Sequence, residues 1–183
     1  MTVKQINENN NQLREILSKI AELKKSRDFN SVYKFLDELS EKGNQEMMSK
    51  ACEEGLWEKT NWYGNVLHKA CEEGNLRLVK SLIECNCNKE TKNVGGSTPL
   101  ICASVYGHLA VVQYLISVGA NKEAKNKNGS TPLIRASVYG HLAVVQYLIS
   151  VGANKEAKTI DGRTPLSVSK AEVRDYLISI GAK

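Results

Sequence analysis

The side chains best suited to nucleophilic or metal chemistry are three histidines, His68, His108 and His141, and five cysteines, Cys52, Cys71, Cys85, Cys87 and Cys102. A catalytic triad needs a base beside a nucleophile, and a zinc site needs two close pairs of soft ligands. None of the histidines has a Ser, Cys or Asp partner at a recurring triad or metal spacing. Cys85-Asn86-Cys87 is half a metal site, and no second Cys or His pair completes it. Gly95-Gly96-Ser97-Thr98 is glycine-rich in the manner of a phosphate loop, but it lacks the GK[ST] ending and a preceding strand. Asn128-Gly129-Ser130 is formally a glycosylation acceptor, without consequence in a cytoplasmic chain. These residues therefore read as structural. The chain is expected to be non-catalytic, with no metal, no cofactor and no small-molecule substrate.

The positions of these residues follow from a longer repetition. Residues 96–125 read GSTPLICASVYGHLAVVQYLISVGANKEAK, and residues 129–158 repeat them with Cys102 against Arg135 as the one difference. An offset of 33 residues, with a TPL opening and a Gly-His turn inside the unit, marks a helical repeat array. Thr131 caps the first helix and Pro132 starts it. Leu133 and Ala136 face inward, and Gly140-His141 turns the chain. Leu142, Val144, Val145, Leu148 and Ile149 make the apolar face of the second helix, which Gly152 ends. No unit can bury that face alone, so neighbours must stack. The preceding unit keeps the register, with Asn86 in place of Gly119, where a left-handed residue is wanted and Asn is the usual substitute. Cys85 and Cys87 align with Val118 and Ala120 and are read as small buried apolar residues. Cys102 aligns with Arg135, so that position is expected to be exposed. The last unit is four residues shorter between its threonine and its tyrosine, lacks the Gly-His turn, and is polar as a terminal unit should be.

The N-terminal stretch has a different pattern. Leu13, Ile16, Leu17, Ile20 and Leu23 lie on one helical face, as do Val32, Phe35, Leu36 and Leu39, and Gly43 closes the second helix. The two are expected to pack as an antiparallel hairpin behind a frayed or weakly helical Asn-rich lead-in. KACEEG occurs at residues 50–55 and again at 69–74. It suggests a degenerate unit over 45–62 with a shortened second helix, LWEKTNW. The expected organisation is a segment 1–44, acting as a cap or self-association element, then repeats over 45–183. Their divisions are 45–62 (degenerate), 63–95, 96–128, 129–161 and 162–183 (a truncated C-terminal cap).

The TPL openings (Thr98-Pro99-Leu100, Thr131-Pro132-Leu133, Thr164-Pro165-Leu166), the Gly-His turns and the GAN links resemble the ankyrin repeat family. The match spans about residues 63–183 and reaches back to 45. The near-identical units are similar to tandem ankyrin arrays of parasitic protozoa. The resemblance implies an all-α ankyrin-repeat solenoid of helix-turn-helix units, here with the N-terminal helical hairpin. It also implies a protein-protein interaction module that binds through its hairpin tips and the exposed side of its first helices. Carried onto this chain, that surface comprises Val94, Ser97, Cys102, Val105, Tyr106, Lys127, Ser130, Arg135, Val138, Tyr139, Ile160 and Arg163. Ile101 and Ile134 depart from the family's histidine, which only His68 keeps. The family's often-hydroxylated asparagine aligns with Glu90, Glu123 and Glu156, so that modification is not expected.

Composition narrows the partner. With 183 residues and 42% hydrophobic content the chain is neither disordered nor membrane-spanning. No secretory or transit signature opens it, and its odd cysteine count suits a reduced, cytoplasmic setting. The net charge of +5 is mild, with lysines in the inter-repeat turns and glutamates over 46–73. Arginine-rich clusters interleaved with stacking aromatics are absent, which disfavours nucleic acid. The expected partner is another protein. The alternative is an assembly protein that self-associates through its repeats or N-terminal helices.

Overall fold

A computed structural model describes the backbone of residues 3–183 and the side chains from residue 10 onward. The helices are α1 (Val3–Lys25), α2 (Phe29–Glu41), α3 (Gln45–Glu53), α4 (Val66–Glu72), α5 (Leu76–Glu84), α6 (Pro99–Tyr106), α7 (Leu109–Ser117), α8 (Pro132–Tyr139), α9 (Leu142–Ser150), α10 (Pro165–Val168) and α11 (Ala171–Ser179). A 3-10 turn, Leu56–Glu58, follows α3.

From α4 onward the helices form two layers. The first helices α4, α6, α8 and α10 stack on one another, and so do the second helices α5, α7, α9 and α11. The sequence sets each helix end. The hydroxyls of Thr98, Thr131 and Thr164 accept from the amides of Ile101, Ile134 and Ser167, with proline opening each helix. Gly107 and Gly140 end α6 and α8 at φ of 77° and 80°. Asn86, at φ 60°, is the one non-glycine residue described with a left-handed backbone, as its alignment with Gly119 requires. Leu100, Ile101, Ala103, Leu133, Ile134 and Ala136 are buried between first helices, and Val112, Leu115, Val145 and Leu148 between second helices. The two isoleucines are buried outside the continuous core cluster.

The short last unit solves its missing turn differently. α10 has four residues where α8 has eight. The stem of Lys170 lies over Gly140, where a Cβ would come within 2.8 Å of Lys170 Cδ. An aliphatic lysine stem can cover backbone while its ammonium stays in water.

The N-terminal region departs from the sequence expectation. α1 is helical from Val3, so the Asn-rich stretch is part of it. Among its described side chains Ile20 and Leu23 are buried, whereas Leu13 and Leu17 are exposed. α1 rests on α3 and the 3-10 turn, and a groove of about 600 Å³ lies between α1 and α2, lined by Ile16, Phe35 and Leu39. The hairpin is therefore not closed along its length. α2 runs parallel to α5 instead. Tyr33 Oη donates to Glu73 (2.6 Å), Asp37 accepts from Asn75 and Arg77 (2.8 and 2.9 Å), and the Ser40 and Ser81 hydroxyls meet at 2.8 Å. Both KACEEG segments end a helix on a left-handed glycine, Gly55 and Gly74. The expected second helix LWEKTNW is only the 3-10 turn, and Trp62 lies beyond it in a loop.

Leu133→Ala and Leu148→Ala each delete side chains that are at most 1% exposed. Each is expected to cost about 2–5 kcal/mol in urea unfolding, and a loss below about 1 kcal/mol would contradict the stacking described.

Candidate partner-binding surface

The tips between units are built by backbone bonds. Asn93 N donates to Ser97 O (3.1 Å), Asn126 N to Ser130 O (3.1 Å) and Thr159 N to Arg163 O (3.0 Å). The side chains of Asn93, Asn126 and Thr159 accept the returning amides of Ser97, Ser130 and Arg163. Neighbouring tips are joined by Lys127 N to Gly95 O (3.0 Å) and Ile160 N to Asn128 O (3.1 Å). Gly129, at φ +73°, leaves no room for a Cβ, which would lie 2.9 Å from Ile160 N. This ribbon leaves Val94 (70% exposed), Lys127 and Ile160 (76%) pointing to solvent.

An earlier tip continues the row. Asn61 N donates to Gly64 O (3.0 Å), and Asn61 Oδ1 accepts from the amides of Tyr63 and Gly64. Trp62 is 77% exposed, and its ring lies 3.9 Å from that of Tyr63, centroid to centroid. Trp62 follows Asn61 as Val94 follows Asn93 and Lys127 follows Asn126. The sequence reading assigned Trp62 to a helix and left both aromatics out of the surface. The recurring Asn before each tip residue was the available signal.

On the first helices, Tyr106 and Tyr139 are exposed, and each stacks on the histidine two residues later with centroids 6.4 Å apart. The histidines are held from behind. His108 Nε2 lies 2.8 Å from Glu72 O, and His141 Nε2 lies 2.8 Å from Val105 O. A carbonyl only accepts, so Nε2 carries the proton in both. Val105 and Val138 are half-buried beside them.

Two expected surface residues are corrected. Ser130 is buried, because its amide and carbonyl both close the tip. Cys102 is half-buried, and burial pushes its thiol up to about 12. Its counterpart Arg135 escapes upward: the guanidinium sits 5.2 Å over the Tyr139 ring and donates to Tyr139 Oη at 3.3 Å. A position that admits a long charged chain need not expose a short one. Ser97 is half-buried, and its carbonyl accepts from His68 Nε2 at 3.0 Å; Arg163 is exposed.

The other side of each turn is committed to stacking. Glu90 accepts from Asn121 N (2.8 Å), Glu123 from Asn154 N (2.8 Å) and Glu156 from Lys183 N (3.0 Å). Those carboxylates link successive units through backbone amides.

A family model described as "Ankyrin repeats (3 copies)" matches residues 26–126, 67–159 and 118–182. Among curated proteins none matches the chain.

His68 gives the fold a pH response. It is 2% exposed, its Nδ1 lies 2.7 Å from Asn65 Oδ1 and 3.3 Å from Asn65 N, and its pKa is lowered, chiefly by burial. The unfolded chain then binds a proton more readily than the folded one, so stability is full above the ordinary value of 6.5 and falls as pH drops below it. Melting temperature is expected to decline between about pH 6.5 and 5, before carboxylates titrate. His68→Gln should remove that part of the slope, and an unaltered slope would assign it elsewhere.

Proposed function

The chain belongs to the ankyrin repeat family, and from that premise we propose that it is a non-catalytic module that docks a protein partner across Trp62, Tyr63, Tyr106 and Tyr139. Ankyrin repeats are generally protein-protein interaction modules. The observation that carries the reading is the exposure of these aromatics, together with Val94 and Ile160, on a framework whose backbone is hydrogen-bonded from unit to unit. Large aromatic side chains at rigid positions are the usual anchors of an interface. Arg135, Lys127 and Arg163 lie on the same tips and helices and add charge to it.

The distribution of charge supports an acidic partner surface. Every ion pair among the described residues lies between residues 19 and 77. Residues 84–183 carry 12 Lys and Arg against 7 Asp and Glu, so the whole surplus of +5 sits there. Three of those seven acids, Glu90, Glu123 and Glu156, are occupied by backbone amides. Unpaired cations on a rigid face steer and orient an anionic partner. No described helix is long and apolar enough to cross a membrane, and we place the protein in the cytoplasm, whose reducing poise suits its five free thiols at rest.

A second reading is favoured by one observation. Leu13 and Leu17 are exposed side by side on α1, and a second copy could cover them, which would make the chain an assembly protein. Light scattering across concentration on the intact chain and on Leu13→Asn/Leu17→Asn separates the two readings, since a dimer lost in that variant favours assembly.

For the docking reading, a pull-down with the intact chain beside Tyr106→Ala/Tyr139→Ala identifies the partner. The double variant is expected to keep its helical content and to weaken the partner by about 2 kcal/mol or more. Equal affinity would remove the tyrosines from the interface.

A further inference from the structure

Three of the five cysteines converge where α3 meets the end of α5. Cys87 Sγ donates to Cys52 Sγ at 3.7 Å, and both residues are buried. Cys85, half-buried, takes contacts from Ser49 Oγ at 3.5 Å and Gln45 Nε2 at 3.6 Å, and it also adjoins Cys52. In the next two units the positions of Cys85 and Cys87 hold Val118 and Ala120, then Val151 and Ala153. The thiols therefore occur in the one full unit that faces α3, and α3 supplies the third. Among the described residues no group of three or more His, Cys, Asp and Glu side chains is placed to hold a metal ion.

We propose that this cluster is a site of reversible oxidation, in which Cys52 and Cys87 join as a disulfide that fastens the N-terminal helices to the array. Sulfurs already in contact need to approach by less than about 2 Å to reach bonding distance. The oxidant is a small disulfide such as oxidised glutathione, and Cys85, the most accessible of the three, is its point of entry, a slow one because burial holds its thiol above the ordinary value. The Cys85 thiolate attacks the small disulfide, whose S–S bond breaks and releases one small thiol. Cys52 then attacks the Cys85 sulfur and displaces the second small thiol. Finally Cys87 attacks Cys52, and Cys85 returns to the thiol. In sum, two protein thiols and one small disulfide become one protein disulfide and two small thiols. The bond ties the end of α3, on which α1 rests, to the base of the first full unit. A reductant reverses it.

The test treats the intact native chain with oxidised glutathione, removes it, denatures the protein and alkylates it. Five alkylated cysteines before oxidation should become three after it, with residues 52 and 87 in one linked peptide. The melting temperature should rise by about 5 °C and fall back with dithiothreitol. Cys52→Ala should prevent any link between α3 and the array, and with it the rise. Cys87→Ala, the residue its aligned position already carries, should stop the reaction at the Cys52–Cys85 link and never give the Cys52–Cys87 one. Cys85→Val, likewise the aligned residue, should slow the reaction several-fold yet leave the same final link. Circular dichroism on each variant checks that it is folded, and Cys52→Ser serves in place of Cys52→Ala if needed. The proposal is overturned if all five thiols remain alkylatable after prolonged exposure, if the final link in the intact chain maps to another pair, or if Cys52→Ala gains the same stability on oxidation.

Discussion

The array depends on how one unit's turn receives the next unit's histidine. Gly74 and Gly107 end their helices in the left-handed region, and a Cβ at either would come within 2.5 Å of the ring of His108 or His141. Because no Cβ is there, the ring lies against the turn and its Nε2 donates to a carbonyl of the preceding unit. The helix end would otherwise leave that carbonyl without a partner. Glycine supplies the backbone conformation and the space, and histidine supplies the donor, so neither can change without the other. Repeated along the chain, the contact sets the spacing of first helices and hence of whatever they display.

Stacking consumes several polar groups that sequence alone would leave free. Glu90, Glu123 and Glu156 look like surface charge, yet each takes a backbone amide across the unit boundary. Asn93 and Asn126 close their own tips. The side chains without such duties lie on the tips, at the ends of the first helices and on the outer face of the second helices, as Gln113 and Gln146 do. There the two near-identical units differ in one respect. Arg135 braces Tyr139, whereas Tyr106 has only the half-buried Cys102 in the equivalent place. The same aromatic is thus presented in two electrostatic settings.

Most departures from the sequence reading arise where the 33-residue period is absent. α2 was legible as an amphipathic helix, but its place alongside α5 rests on Tyr33, Asp37 and Ser40 meeting residues about 40 positions away. Nothing in the local pattern indicates such partners. Leu13 and Leu17 share the apolar stripe with Ile20 and Leu23, yet only the latter two are covered. A stripe shows which face of a helix is apolar and not how far its partner extends. Trp62 was misplaced for a related reason: apolar letters after α3 resemble a short helix, whereas Asn61 bonding to Gly64 makes a tip. Cys85 and Cys87 read as small core residues, and only packing shows that Cys52 meets them.

What the sequence determined by itself was the repeat: its period, its helix starts at Thr-Pro, its stops at Gly or Asn86, and which leucines, valines and alanines are buried. Those features are local, set by backbone conformation and by apolar spacing within one unit, and a unit reports them wherever it stands. The tertiary structure decided the rest: which helices the N-terminal segment packs on, which polar side chains are spent between units, which of the expected surface residues are covered, and which thiols converge. These depend on contacts between residues far apart in the chain, where the number and position of neighbours, and not the residue's own type, set burial and bonding.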